Sequence, residues 1–186
     1  YLINRQRLLE LLRGSGLRIT PRLSEAEIKA YFARFSNCGR IWQRKIKEHH
    51  FVRTQQQELL EHIKAKQSVL IDGSPGSGKT CILLDLVDYL EDDPQYFCIF
   101  LQAREIEDFG INEFRDNFLN SLARMAENLP VVLVVDSLDV LSTTGRQSFT
   151  AVLTLMEQVR KIPNACVIAS CRTFDLQYDP QLSALT

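Results

Sequence analysis

No apolar run in this sequence is long enough to cross a bilayer. The longest, such as Val131–Val135, fall far short of the ~20 residues a spanning helix needs. No membrane partner is therefore expected. The first residues also lack the basic, apolar and small-residue plan of a secretory leader. Five cysteines (Cys38, Cys81, Cys98, Cys166, Cys171) make an odd count with no C-x-x-C pair. That argues against a disulfide framework and for a reduced, cytoplasmic setting. The three histidines, His49, His50 and His62, have no metal-ligand spacing with those cysteines and read as solvated. No internal repeat, low-complexity tract or dense Lys/Arg block is present. Tyr1 stands where an initiating methionine would, so a piece of a longer protein is expected.

What remains is ordinary for a globular domain. The 186 residues are 45% hydrophobic and 24% charged, enough for one core with a small appendage. The net charge of −1 conceals an asymmetry. Residues 1–66 carry 14 Lys/Arg against 6 Asp/Glu, and residues 67–186 carry 8 against 17. The two halves could attract each other, or the basic half could touch nucleic acid. The basic residues are spread over expected helix faces, which favours plain solvation over a nucleic-acid interface.

The most informative stretch is Val69–Thr80, VLIDGSPGSGKT. Residues Gly73, Ser74, Pro75, Gly76, Ser77, Gly78, Lys79 and Thr80 complete a G-x-x-x-x-G-K-T phosphate loop. An apolar strand leads in, and a helical pattern from Cys81 leads out. Glycines let successive backbone N–H groups turn toward phosphate oxygens. The helix N-terminus, through Cys81, adds its positive end. Lys79 is expected to reach the β- and γ-phosphates, and the Thr80 hydroxyl to ligate Mg²⁺. ATP or ADP with Mg²⁺ is the implied ligand.

Around this loop, residues 1–50 read as a helical N-terminal segment or linker, and 51–186 as the core. Leu2–Arg13 groups apolar residues helically and is stopped by Gly14-Ser15-Gly16. Ser24 and Glu27 fit a capping box opening a helix with Ile28, Tyr31, Phe32 and Phe35 on one face. Arg40–His50 is expected to be helical. Thr54-Gln55-Gln56-Gln57 predicts a second capping box. After the loop, strands at Tyr96–Leu101, Val131–Val135 and Ala165–Ala169 alternate with helices at Ile111–Asn128 and from Arg146 to about Lys161. Apolar strands alternating with helices predict an α/β fold, a parallel sheet covered on both faces.

Asp136 ends the apolar run VVLVVD, at the strand's carboxyl end where open α/β sheets bind ligands. Following a phosphate loop, it fits the Walker-B carboxylate that holds Mg²⁺. Asp139 is either a general base for water or a helix cap. Arg172, after the last apolar strand, either senses the γ-phosphate or is a surface arginine.

In order, GSPGSGKT, VVLVVDSLDVL and VIASCRTFDL resemble the STAND class of signalling P-loop NTPases, especially its NACHT-like branch. The wording of the last two segments is closest to prokaryotic members, several of which act in antiphage defence. The resemblance covers about Phe51 to the end. It implies a sheet in which the 165–169 strand separates the Walker A and B strands. It also implies a switch, ADP-bound and monomeric at rest, then ATP-bound and homo-oligomeric when a trigger such as a protein is sensed. Arg53 matches an arginine that lies near the base or phosphates in relatives. Val140 stands where many NACHT-like proteins have Glu, which implies slow hydrolysis or reliance on Asp139. The rival expectation is an AAA+ origin-recognition-like ATPase that engages DNA through the basic half. A small-molecule kinase lacks its Arg-rich lid here, and a scaffold with permanently bound nucleotide is a further alternative.

Overall fold

Four apolar runs become four parallel strands. The computed structural model describes residues 4–15, 24–33, 36, 40–41, 54–109, 117–144 and 146–185. Strands β1 (Val69–Gly73), β2 (Phe97–Gln102), β3 (Val131–Asp136) and β4 (Ala165–Arg172) form one sheet in the order β1-β4-β3-β2. The 165–172 strand therefore separates the strand before the phosphate loop from the Asp136 strand, as the resemblance implied. Val69 faces Ile168 and Val131 faces Ala165 in parallel register.

Strand side chains alternate between the two faces, and each face has its own core. On one face, Cys98, Phe100, Val132, Val134, Cys166 and Ile168 pack against helices α3 (Gln55–Lys64) and α4 (Lys79–Asp92). On the other, Phe97, Ile99, Leu101, Leu133, Val135, Val167 and Ala169 meet Ile28 from the start of the chain and six helices from its second half. These are α5 (Ala103–Phe109), α6 (Asn117–Ala126), α7 (Leu138–Thr144), α8 (Arg146–Arg160), α9 (Thr173–Tyr178) and α10 (Pro180–Ser183). Burial on both faces is why β2 and β3 carry no alternating polar residues.

The basic N-terminal part contributes α1 (Arg5–Gly14) and α2 (Glu25–Ala33). The Ser24 capping box forms: Ser24 N donates to Glu27 Oε2 at 2.7 Å, and Glu27 N donates to Ser24 Oγ at 3.3 Å. Ile28 of α2 is buried in the same cluster as Phe97, and Lys29 Nζ lies 5.6 Å from the Phe97 ring centre. Arg40 pairs with Glu91 at the end of α4, Nη1 to Oε2 at 2.8 Å. A cleft of about 310 Å³ opens beside that pair at the β2 edge, away from the phosphate loop.

Some local expectations change. Thr54 makes no side-chain cap, because it is itself helical (φ −60°, ψ −30°). Helices α5 and α7 were not anticipated. β4 runs on to Arg172. Arg53, most of Arg40–His50 and residues 110–116 lie outside the described residues. No described helix is long and apolar enough to cross a membrane.

Candidate nucleotide site

The site lies at the carboxyl end of the sheet, where β1 gives way to the loop and α4. Gly73 ends β1, and a Cβ there would come 2.9 Å from Ser77 Oγ, so a side chain at this position would displace the Ser77 hydroxyl. Gly76 (φ 75°) and Gly78 (φ 89°) take the left-handed conformation that glycine adopts without steric cost. Gly78 caps α4, whose first residues are Lys79, Thr80 and Cys81. Ser74, Pro75, Gly76 and Ser77 form the exposed loop between. Lys79 folds back over it, its Nζ donating to Gly73 O (2.7 Å) and Ser74 O (3.0 Å).

Asp136 is fully buried, yet both its oxygens are engaged. Thr80 Oγ1 donates to Oδ2 at 2.8 Å, and Ser170 Oγ donates to Oδ1 at 2.6 Å. Two residues named separately for a metal thus meet across 56 positions of sequence. The register explains the second contact. Ala169 faces Val135, so Ser170 falls beside Asp136, and Gln102 flanks Asp136 from β2. A polar row of Gln102, Asp136 and Ser170 therefore crosses the sheet one step beyond its apolar body. The hydroxyl of Ser170 also accepts from Ser137 N at 2.9 Å. Ser137 has φ 61°, a strained conformation for a residue other than glycine, at the turn that carries Asp139.

Asp139, in the first turn of α7, is 4% exposed. It pairs with Arg172: Nε to Oδ2 is 2.9 Å, with half of the arginine side chain exposed. Burial pushes the Asp139 carboxyl up from its ordinary value, while the charge of Arg172 opposes that rise. The sequence offers Asp139 as a base for water or a helix cap, and Arg172 as a γ-phosphate sensor or a surface arginine; it does not foresee their contact with each other. Just beyond, Thr173 Oγ1 donates to Asp72 Oδ2 at 2.9 Å, tying α9 to the end of β1. Cys171 points to the opposite core and is pushed up to about 11 by burial, so it is a packing thiol here.

The donor set suits a magnesium nucleotide. A closed glycine cradle, a lysine and a helix N-terminus fit phosphates. One hydroxyl and one carboxylate, both hard oxygen donors, fit a Mg²⁺ that keeps several waters. Ser170, which holds Asp136, was missed as a site residue. The available signal was position, since Ser170 directly follows the apolar run of β4 and Gln102 that of β2, both on the face that carries Asp136.

Comparisons with known proteins agree with this geometry at the level of fold. No curated protein matches the chain in sequence. Among solved structures, domain III of the Thermotoga maritima replication initiation protein DnaA superposes with a TM-score of 0.50 at 17% identity, covering 70% of this chain and 56% of that one. AMPPCP-bound DnaA from Aquifex aeolicus gives 0.49 at 16% identity, covering 72% and 45%. DnaA bound to AMPPCP and single-stranded DNA gives 0.49 at 17%, covering 69% and 41%. The chain thus spans about half the length of these structures. The profile described as ATPase family associated with various cellular activities (AAA) matches residues 69–184, from the first residue of β1 to the residue that follows α10. With that match over most of its length, and with the strand order and phosphate loop described above, the chain belongs to the AAA family of ATPases.

Proposed function

We propose that this domain is a slow ATP-hydrolysing switch of the STAND type, in which the Asp139–Arg172 pair distinguishes ATP from ADP. The ion pair at 2.9 Å between these residues carries the reading. A guanidinium binds a carboxylate or a phosphate oxygen by the same charge-assisted geometry. The γ-phosphate of ATP competes with Asp139 for Arg172, and ADP has no such group. In the ATP state Arg172 turns to the phosphate, and Asp139 accepts a hydrogen bond from the attacking water. In the ADP state the pair re-forms, and the carboxylate is engaged away from water. Lys79 leaves its contacts with Gly73 O and Ser74 O for the β- and γ-phosphates. Thr80 and Asp136 would hold a Mg²⁺, which would supply charge neutralisation for the phosphates. The D-S-L-D segment and the S-C-R tip support the STAND assignment, with ATP-driven homo-oligomerisation and a sensed trigger as its expected output.

Calorimetric titration tests the reading. Lys79→Ala abolishes binding of both nucleotides. Arg172→Ala keeps ADP affinity but loses about tenfold in ATP affinity, the scale of one charge-assisted hydrogen bond. An unchanged ATP-to-ADP ratio in Arg172→Ala overturns the switch.

A second reading is DNA engagement by the basic half, favoured by the excess of 14 Lys/Arg over 6 Asp/Glu in residues 1–66. One of the similar structures is bound to single-stranded DNA. Fluorescence anisotropy with a labelled oligonucleotide at two salt concentrations decides it, because phosphate contacts weaken steeply with salt.

A further inference from the structure

From the contacts of Ser170 we infer a positioning role: its hydroxyl sets the orientation of the Asp136 carboxylate toward Mg²⁺ and holds the turn leading to Asp139. The inference rests on the nucleotide reading above. Ser170 is fully buried at the carboxyl end of β4. Its single proton goes to Asp136 Oδ1 at 2.6 Å, and its oxygen accepts the N–H of Ser137 at 2.9 Å. Both capacities of the hydroxyl are used, and both partners belong to the end of β3.

Without Ser170, Thr80 would hold Asp136 through Oδ2 alone. One hydrogen bond leaves a carboxylate able to swing about its Cβ–Cγ bond, whereas two opposed bonds fix its plane. A fixed plane directs the lone pairs that meet the metal shell, and partners that orient ligands in this way tune metal affinity. Buried polar groups also need their partners, so the same bond offsets the cost of placing Asp136 in a dry site.

The contact with Ser137 extends the role. Ser137 holds φ 61° directly after Asp136, and Asp139 lies two residues further on. The Ser170 oxygen anchors the N–H of this strained residue. Arg172, two positions along the same strand, reaches Asp139 itself. β4 thus touches the carboxylate for the metal and the carboxylate for water through residues spaced by one strand repeat. Ser170 does not contact the reacting atoms on this account. It acts through Asp136 and the turn.

The test is binding of a fluorescent ATP analogue to the purified chain across a Mg²⁺ titration, and in EDTA. Wild-type binding that strengthens with Mg²⁺ tests the nucleotide reading by itself. In Ser170→Ala the Mg²⁺ half-saturation point rises about tenfold or more, the range seen when a residue that orients a ligand is removed. Affinity in EDTA stays within about twofold, the margin of independent sites. In an Asp136→Ala background the same change adds nothing further, as expected if Ser170 works through Asp136. An unchanged Mg²⁺ requirement in Ser170→Ala overturns the inference. So does an equal loss in EDTA, which would mark a purely structural serine. A further loss in the Asp136→Ala background overturns it as well, because Ser170 would then act independently.

Discussion

The two largest influences on Asp139 oppose each other, and their balance is measurable. Burial raises its pKa above the ordinary carboxylate value, and the Arg172 charge pulls it down. A general base must be ionised, so hydrolysis fails as pH falls through that pKa. The profile of kcat/KM reports groups in the free enzyme, where Arg172 is on Asp139. Arg172→Ala removes the largest of the lowering influences and leaves burial, the largest raising one. Its acid limb therefore moves to higher pH than in the wild type. A limb that stays in place, or moves to lower pH, means that Asp139 is not the titrating base. At this scale the residue types were legible and their partners were not. Lys79, Thr80, Asp136, Asp139 and Arg172 each stand out by motif or by ending an apolar run. Ser170 beside Asp136, and Arg172 beside Asp139, depend on the register between strands some thirty residues apart, which no local pattern encodes.

Among the elements, α4 depends on the unusual backbone of its cap. Gly78 precedes it at φ 89° with no side-chain hydrogen bond. An L-residue in the left-handed region costs about 1–2 kcal/mol. Gly78→Ala should thus lower the melting temperature by about 2–8 °C for a chain of this size. It should also weaken nucleotide binding, because the first N–H groups of α4 turn with the cap. A variant that melts and binds like the wild type would show that glycine is dispensable there. The long elements were readable because β-branched apolar runs and helical stripes are strong signals. The short ones were not. α7 has one apolar turn and an acidic start, which reads equally well as a loop. Thr54 has the sequence of a capping residue, but the helix simply begins through it. The Ser24 box succeeded because its glutamate reaches back to the Ser24 backbone N–H as well as to the hydroxyl.

Taken whole, the molecule joins a basic helical part to an acidic sheet domain, and charge alone could not say how. Among the described residues the contact is apolar, through Ile28 in the Phe97 cluster and Leu59 and Ile63 of α3 in the other core. Arg40–Glu91 is an ion pair 36% and 38% exposed, a geometry of little energetic weight. Strand order was the other whole-molecule question. Alternation of strands and helices fixes a parallel sheet, but it does not fix which strand is central. Only the resemblance placed β4 there. That position also governs how the chain acquires its structure. β4 follows the other three strands in sequence yet sits between two of them, with Val69 paired to Ile168 across about a hundred residues. Such distant pairings are slow to form. Until β4 is inserted, β1 and β3 have no hydrogen-bonded neighbour on that side, and unpaired strand edges recruit other chains. A chain stopped before Ala165 should accordingly bind no nucleotide and sediment as aggregate, although its phosphate loop is intact. On the ribosome, then, the phosphate loop is synthesised about ninety residues ahead of the strand that must pair with β1 beside it.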